Sequence, residues 1–280
     1  MITKHQQFDL FGKKTFEKAE AKPPFRFVYQ MPNEACFFYV VQGCSNLFSP
    51  SENAMISTNE GVVLQCGNYL SEMFTTDKQS EYCSVIAIHL YPETLKMIYD
   101  KEFPDFLMRM EKVKPLVMEK HKASELLKNY IDSLEFYFAN PVLVSEELLK
   151  LKIKELLLLL VKTDNEAVVK TLITRLFTPM EIDFKEVIEA NIFNNLSTEE
   201  LATLANLSLS SFKRAFTKHY VTSPAKYIRS RKLEKAAKLL KNTTLRVSQI
   251  CYDCGFVDLA HFSKTFQREY GVSPSDFRVE

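Results

Sequence analysis

Tryptophan is absent from these 280 residues, and glycine is down to 6. So few glycines leave almost nothing from which to build a phosphate-cradling loop. Neither GxGxxG nor GxxxxGK followed by Ser or Thr occurs, which argues against a nucleotide-dependent enzyme. Long apolar runs are missing as well: the longest, Ala35 to Val41, is far short of the roughly 20 residues that cross a bilayer. The opening Met1-Ile2-Thr3-Lys4-His5-Gln6 lacks the apolar core of a signal peptide. The 6 cysteines, at positions 36, 44, 66, 83, 251 and 254, are too sparse for a disulfide framework and read as thiols of a reducing compartment. A soluble, cytoplasmic chain with no membrane partner is the expectation. Excess charge is missing too, because 36 Lys+Arg against 35 Asp+Glu leave +1. At face value that balance disfavours a polyanionic partner.

What is present is a core-forming composition, 46% apolar and 12% aromatic, which excludes disorder and low complexity. The fold class it suggests is α+β. Over the first hundred residues Phe25–Tyr29, Cys36–Val41, Val62–Cys66 and Ser84–Leu90 read as short strands bounded by turn residues, the pattern of a sandwich or small barrel. Phe25, Phe27, Tyr29, Phe37, Phe38, Tyr39, Phe48 and Tyr69 supply its core, with some available to line an apolar effector pocket. From Glu93 to Phe177 the period turns helical. Ser124 to Phe138 is one amphipathic segment, stopped by Asn140-Pro141, and Ser145 caps the next. There Leu149, Ile153, Leu156 and Leu160 fall at 4-3-4 spacing, while Leu148, Leu151 and Leu158 lie on other faces. Such a helix is either a core helix or a dimer helix, and the 4-3-4 stripe is the candidate for homodimerisation. Thr178-Pro179 breaks the pattern and marks the expected boundary: a regulatory domain over 1–178 (strands about 1–100, a helical dimerisation part about 101–178) and a second domain over 179–280.

The second domain contains an internal repeat. Phe212, Phe216, Tyr220, Ser223 and Pro224 recur as Phe262, Phe266, Tyr270, Ser273 and Pro274 at an offset of 50. Upstream, Leu201–Ala205 matches Ile250–Cys254 at an offset of 49, so the second copy gains one residue in its turn. Two helix-turn-helix units are the natural reading. Ser197-Thr198-Glu199-Glu200 is a capping box, Ser208 caps a helix running to about His219, Cys254-Gly255-Phe256 is the second turn, and Asp258 caps the helix holding His261 and Lys264. Pro224 to about Lys241 forms one connecting helix, about 25 Å long. The second helix of such a unit lies in the DNA major groove, and a rigid connector sets two of them about 34 Å apart on one face of the duplex. Charge agrees. Residues 205–268 hold 13 bases against 3 acids, +10, which leaves 23 bases and 32 acids, −9, for the rest of the chain.

These residues resemble the DNA-binding domain of the AraC/XylS family of bacterial transcription regulators over about 183–279. The resemblance is carried by Ser223-Pro224, Tyr227-Ile228, Arg231-Lys232-Leu233, Ala236 and Leu239-Leu240, and in the second unit by Ile250-Cys251, Gly255-Phe256-Val257-Asp258, His261-Phe262-Ser263-Lys264, Phe266, Gly271-Val272-Ser273-Pro274 and Phe277-Arg278. The first 180 residues are similar in outline to the family's regulatory part, a cupin-like barrel followed by helices. The resemblance implies a regulator, an activator, with double-stranded DNA and RNA polymerase as partners and a possible small-molecule effector. It places base contacts on Ser210, Lys213 and Arg214 of the first reading helix and on Leu259, Ala260, His261 and Lys264 of the second. Lys218, Lys226, Arg229, Lys232 and Arg268 are assigned to phosphates. For the connector residues the alternative is a surface ion pair, and Arg231 has the further option of a structural pair with an acid. Lys and Arg donate to guanine edges, whereas the small and apolar groups of the second helix suit thymine methyls and DNA shape, so the first helix is expected to carry more specificity.

Phe212, Phe216, Phe262 and Phe266 read as core. Cys251-x-x-Cys254 looks like half a metal site, but Ala202 and Ala205 stand at the equivalent places, so small buried side chains explain it better than a metal. His89 lacks the His-x-His and Glu spacing of metal-binding cupins, and no catalytic constellation is discernible. No cofactor, no metal and no enzyme are therefore expected. The alternatives are a cupin-type enzyme or ligand-binding protein with a DNA-binding tail, and a regulator controlled by a partner protein.

Overall fold

The computed structural model describes residues 1–75, 81–99, 120–122, 125–163 and 183–279, and the chain divides into two compact units, Met1–Glu181 and Ile182–Glu280. The expected boundary at Thr178-Pro179 and the parts of the helical stretch at 100–119 and 164–177 lie outside the described residues.

Unit 1 is built on ten strands: β1 (Ile2–Leu10), β2 (Lys13–Ala21), β3 (Phe25–Met31), β4 (Ala35–Gln42), β5 (Cys44–Phe48), β6 (Asn53–Ser57), β7 (Glu60–Leu64), β8 (Gly67–Phe74), β9 (Cys83–Leu90) and β10 (Lys120–Lys122). They form two antiparallel sheets, ordered β1-β2-β9-β4-β7-β10 and β3-β8-β5-β6. β10 falls inside the segment read as helical and pairs with β7 through Lys120–Val62, a correction to the expected all-helical part. The hairpin β1–β2 turns through Phe11 and Gly12, both at positive φ, the geometry that matches strand twist.

Side-chain alternation on the central strands explains the two sheets and the helices together. Cys36, Phe38, Val40, Val85 and Ala87 face one apolar cluster with Met31, Leu47, Ile56, Tyr69 and Met73 of the second sheet. Their neighbours Phe37, Tyr39, Ile86 and Ile88 point the other way, into a cluster with the helices. Strands covered on both faces read as continuous apolar runs, which is why β4 and β9 show no polar alternation. Those helices are α1 (Pro92–Tyr99), α2 (Glu125–Ala139) and α3 (Glu146–Thr163).

The stripe assigned to dimerisation is part of that packing. Leu149, Ile153, Leu156 and Leu160 of α3 are 6%, 1%, 0% and 1% exposed and pack with Leu127, Tyr130, Ile131, Leu134 and Phe138 of α2. The correction has a plain cause: the outer face of the first sheet is itself apolar and needs helices over it. Burying each such side chain contributes about 1.5–3 kcal/mol.

One polar group sits deep in this unit. His89, 2% exposed, lies between Glu17 (Nε2 to Oε2, 3.2 Å) and Glu34 (Nδ1 to Oε1, 3.2 Å). Burial pulls the imidazole's pKa down, but the two carboxylates outweigh it and hold it above its ordinary 6.5. Glu17 is pushed up by burial and brought down further by His89, Lys14 and His5, to about 2. A solitary histidine in the sequence is thus a buried ion-paired one in the fold.

Unit 2 is helical: α4 (Phe184–Asn191), α5 (Thr198–Leu204), α6 (Leu209–Tyr220), α7 (Pro224–Asn242), α8 (Val247–Asp253), α9 (Leu259–Tyr270) and α10 (Pro274–Val279). Two small cores organise it. Ile188, Ile192, Leu201, Ala202, Phe212 and Phe216 form one, and Leu233, Ala236, Leu240, Ile250, Cys251, Cys254, Phe256, Phe262 and Phe266 the other. The connector α7 belongs to both, because Tyr227 and Ile228 pack on the first and Leu233 to Leu240 on the second.

Candidate nucleic-acid interface

The pairs α5–α6 and α8–α9 are two executions of one local design. The Ser197 side chain accepts from the Glu200 N–H while the Glu200 carboxylate accepts from the Ser197 N–H, closing the capping box that starts α5. The first turn closes with Leu207 N–H on the Ala202 carbonyl (2.9 Å), the second with Phe256 N–H on the Cys251 carbonyl (3.1 Å). Asn206 and Gly255 occupy the same place in the two turns, at φ 54° and 76°. Each turn then aims a capped helix. Ser208 Oγ accepts from Ser211 N–H at 3.3 Å, and the Asp258 carboxylate accepts from Ala260 and His261 N–H at 3.1 and 2.8 Å. Phe212, Phe216, Phe262 and Phe266 are fully buried and pin the inner faces of α6 and α9.

What remains outside is the opposite face of each helix. On α6 these are Ser210, Lys213, Arg214 and Lys218, all exposed, with Arg214 Nη2 donating to Ser211 Oγ at 3.3 Å. On α9 they are Leu259, Ala260, His261, Lys264 and Arg268. Lys226 and Arg229 of α7 are exposed as well. Both reading helices therefore present their assigned residues to solvent, cationic on α6 and largely small or apolar at the start of α9.

The family comparisons bear on this architecture. Residues 201–280 match a family described as "Helix-turn-helix domain", and residues 35–171 one described as "ExsA N-terminal regulatory domain". Among curated proteins the chain is similar to the "HTH-type transcriptional regulator GbdR" of Pseudomonas aeruginosa (strain UCBPP-PA14), 35% identical over 92 residues, 33% of this chain and 25% of the relative. It is also similar to the "XylDLEGF operon transcriptional activator 2" of Pseudomonas putida, 37% identical over 94 residues, 32% of this chain and 60% of the relative. The chain belongs to the AraC/XylS family. The match spans a quarter to three fifths of the length of these two AraC/XylS relatives. A solved AraC-type regulator from Chromobacterium violaceum is 32% identical over a match that covers 34% of this chain and 86% of that one, with a TM-score of 0.31.

Within this AraC/XylS chain the phosphate assignment of Lys232 changes. Lys232, expected on phosphate, turns inward, and its ammonium donates to the carbonyls of Asn194 (3.2 Å) and Gly255 (2.9 Å). Burial holds its pKa below the ordinary lysine value. The reason for the correction is that two carbonyls, from segments far away in sequence, converge on the same face of α7. Arg231 takes its structural option: it donates to Glu189 Oε1 (3.3 Å) and to the Tyr227 hydroxyl (2.8 Å).

Two exposed residues near α6 and α9 have no role assigned from the sequence. Val257, 68% exposed, is the residue gained where the repeat offset passes from 49 to 50, so the change of offset was the signal that located it. Tyr252 of α8 is also exposed, and nothing in the pattern distinguished it from core aromatics. Cys251 and Cys254 are fully buried, and burial pushes the Cys254 thiol up to about 11. No group of three or more His, Cys, Asp or Glu able to hold a metal ion occurs among the described residues, and none of their helices is long and apolar enough to cross a membrane.

Proposed function

We propose that the protein is a sequence-specific DNA-binding transcription activator of the cytoplasm, not an enzyme, whose two helix pairs act as two helix-turn-helix units. The observation that carries this reading is the exposed pair of faces on α6 and α9, each held at its inner side by two buried phenylalanines and at its start by a side-chain cap. Lys213 and Arg214 offer donors to guanine edges, and Leu259 and Ala260 offer apolar contact to thymine methyls. Lys226, Arg229, Lys218 and Arg268 neutralise phosphates, which makes binding salt-dependent. RNA polymerase is the further partner implied by an activator's role.

The N-terminal unit is the control element in this reading. A small-molecule effector would bind it, favour one of two states and so shift the population that engages DNA. The match of residues 35–171 to a regulatory domain supports that role. Homodimerisation belongs to the same reading, but it must use a surface other than the buried Leu149 stripe. Leu151 and Leu158, seven residues apart on α3, are 62% and 50% exposed and supply one.

Selection of duplexes from a random pool by the full chain tests the DNA claim: enrichment of one site supports it, and an unenriched pool contradicts it. A thermal-shift screen of the full chain against metabolites tests the effector claim. A ligand that raises the midpoint and changes DNA affinity supports it. Control by a partner protein is favoured if none does.

A further inference from the structure

Two half-buried lysines on one side of α7 are taken up by the protein's own backbone carbonyls. Lys232 donates to the carbonyls of Asn194 and Gly255, as above, and Lys235 donates to the Asp253 carbonyl at 2.8 Å while lying 4.1 Å from the centre of the Phe193 ring. Asp253 is the last residue of α8 and Gly255 is in the turn that follows it. Asn194 lies just beyond α4, on the approach to α5. The last carbonyls of a helix have no partner within it and carry the negative end of its dipole, so ammonium groups complement them. The two lysines thereby tie the end of the first helix of one pair to the segment that leads into the other.

Gly255 packs closely into the same junction. A Cβ there would collide with the carbonyl of Phe193 and crowd Lys232 Nζ. Positive φ alone does not demand glycine at this place, because Asn206 holds it in the first turn at φ 54°. The close approach to Phe193 is the additional requirement.

We infer that Phe193, Lys232, Lys235 and Gly255 form a latch that fixes the separation of α6 and α9, so that these positioning residues make the spacing between two DNA half-sites a determinant of specificity. The inference rests on the reading that both helix pairs contact DNA. Without the latch, α7 is a single helix whose two ends serve different cores, and small twists along it would change the register of one reading helix against the other. With it, the junction is braced off the helix axis.

The test uses the full chain and a duplex selected from a random pool about three helical turns long, rebuilt with one or more base pairs inserted between its two contacted segments, and a second duplex holding one segment alone. Backbone residual dipolar couplings of the free chain report the latch without DNA. The wild type should show one alignment tensor across α5–α6 and α8–α9, and a steep loss of affinity on insertion. Gly255→Asn and Lys232→Met should each show two tensors, lose about tenfold in affinity at the selected spacing, tolerate insertions better, and bind the single-segment duplex as the wild type does. Asn206→Gly is the control and should match the wild type. One tensor and an unchanged insertion profile in both variants would overturn the latch. A wild type that binds the complete site no tighter than the single segment would instead overturn the two-pair reading and the spacing role with it, while the couplings still report whether the junction is braced.

Discussion

In the first helix pair, α6 follows a serine cap, carries Ser210 and Ser211 in its first turn and turns Lys213, Arg214 and Lys218 outward, while in the second, α9 follows an exposed Val257 and an acidic cap and turns out Leu259, Ala260 and His261 ahead of Lys264 and Arg268. Inside, the pairs match: Phe212 with Phe262, Phe216 with Phe266, Ala202 with Cys251, and the same turn-closing hydrogen bond. The buried positions of the repeat match, and so do two outward cations, Arg214 with Lys264 and Lys218 with Arg268, but the outward residues of the first turns differ. A shared frame fixes where each helix points, and the outward residues decide what it can read. Under the proposed function α6 would read by hydrogen bonds and the start of α9 by methyl groups and shape.

The largest expected effects test the shared frame. Phe212→Ala and Phe262→Ala should each cost about 3–5 kcal/mol in chemical denaturation, because both side chains are fully buried in aromatic clusters. A large loss at one and a negligible loss at the other would break the equivalence of the two pairs. Next come the outward faces. Lys213→Ala and Arg214→Ala should each weaken binding to the selected duplex by about 1–3 kcal/mol, and Leu259→Ala and His261→Ala should cost less, read by fluorescence anisotropy. The reverse order would exchange the roles of α6 and α9.

The caps offer a smaller contrast with a pH signature. Ser208→Ala should destabilise by about 1 kcal/mol at any pH. Hydrogen bonds from His261 and Ala260 N–H hold the Asp258 carboxyl below its ordinary 3.8. Its cap is therefore in full force above that pH and is lost as pH falls through the lower folded value. Acid should shift the amide signals of Ala260 and His261 before that of Ser211, and simultaneous shifts would contradict the difference. Smallest is Lys226→Ala, which should weaken all sequences alike and reduce the salt slope of binding by about 1.

Legibility in the sequence followed the range of the interactions. The caps Ser197, Ser208 and Asp258, the turn at Gly255 and the span of α7 rest on neighbours a few residues apart, and all were readable. The hairpin β1–β2 was not: Lys13–Ala21 is rich in Lys, Glu and Ala, poor strand formers whose pairing with β9 is decided by context. The α3 stripe could be seen but not its partner, because an apolar face does not say whether its own chain or another covers it. The partners of Lys232 and His89 were hidden from the sequence for one physical reason. The carbonyls that take up Lys232 lie 38 and 23 residues away, and the carboxylates around His89 lie 72 and 55 away. The fold brings such groups together, and local spacing carries no trace of it.

Anisotropy of the full chain on its selected duplex, against a scrambled duplex of the same length and composition at about 0.15 M salt, tests most directly whether α6 and α9 read DNA. The account predicts binding to the selected duplex about a thousandfold tighter or more, with the advantage removed by Lys213→Ala combined with Arg214→Ala. Equal affinity for the two duplexes, or an advantage that survives the double substitution, would contradict it.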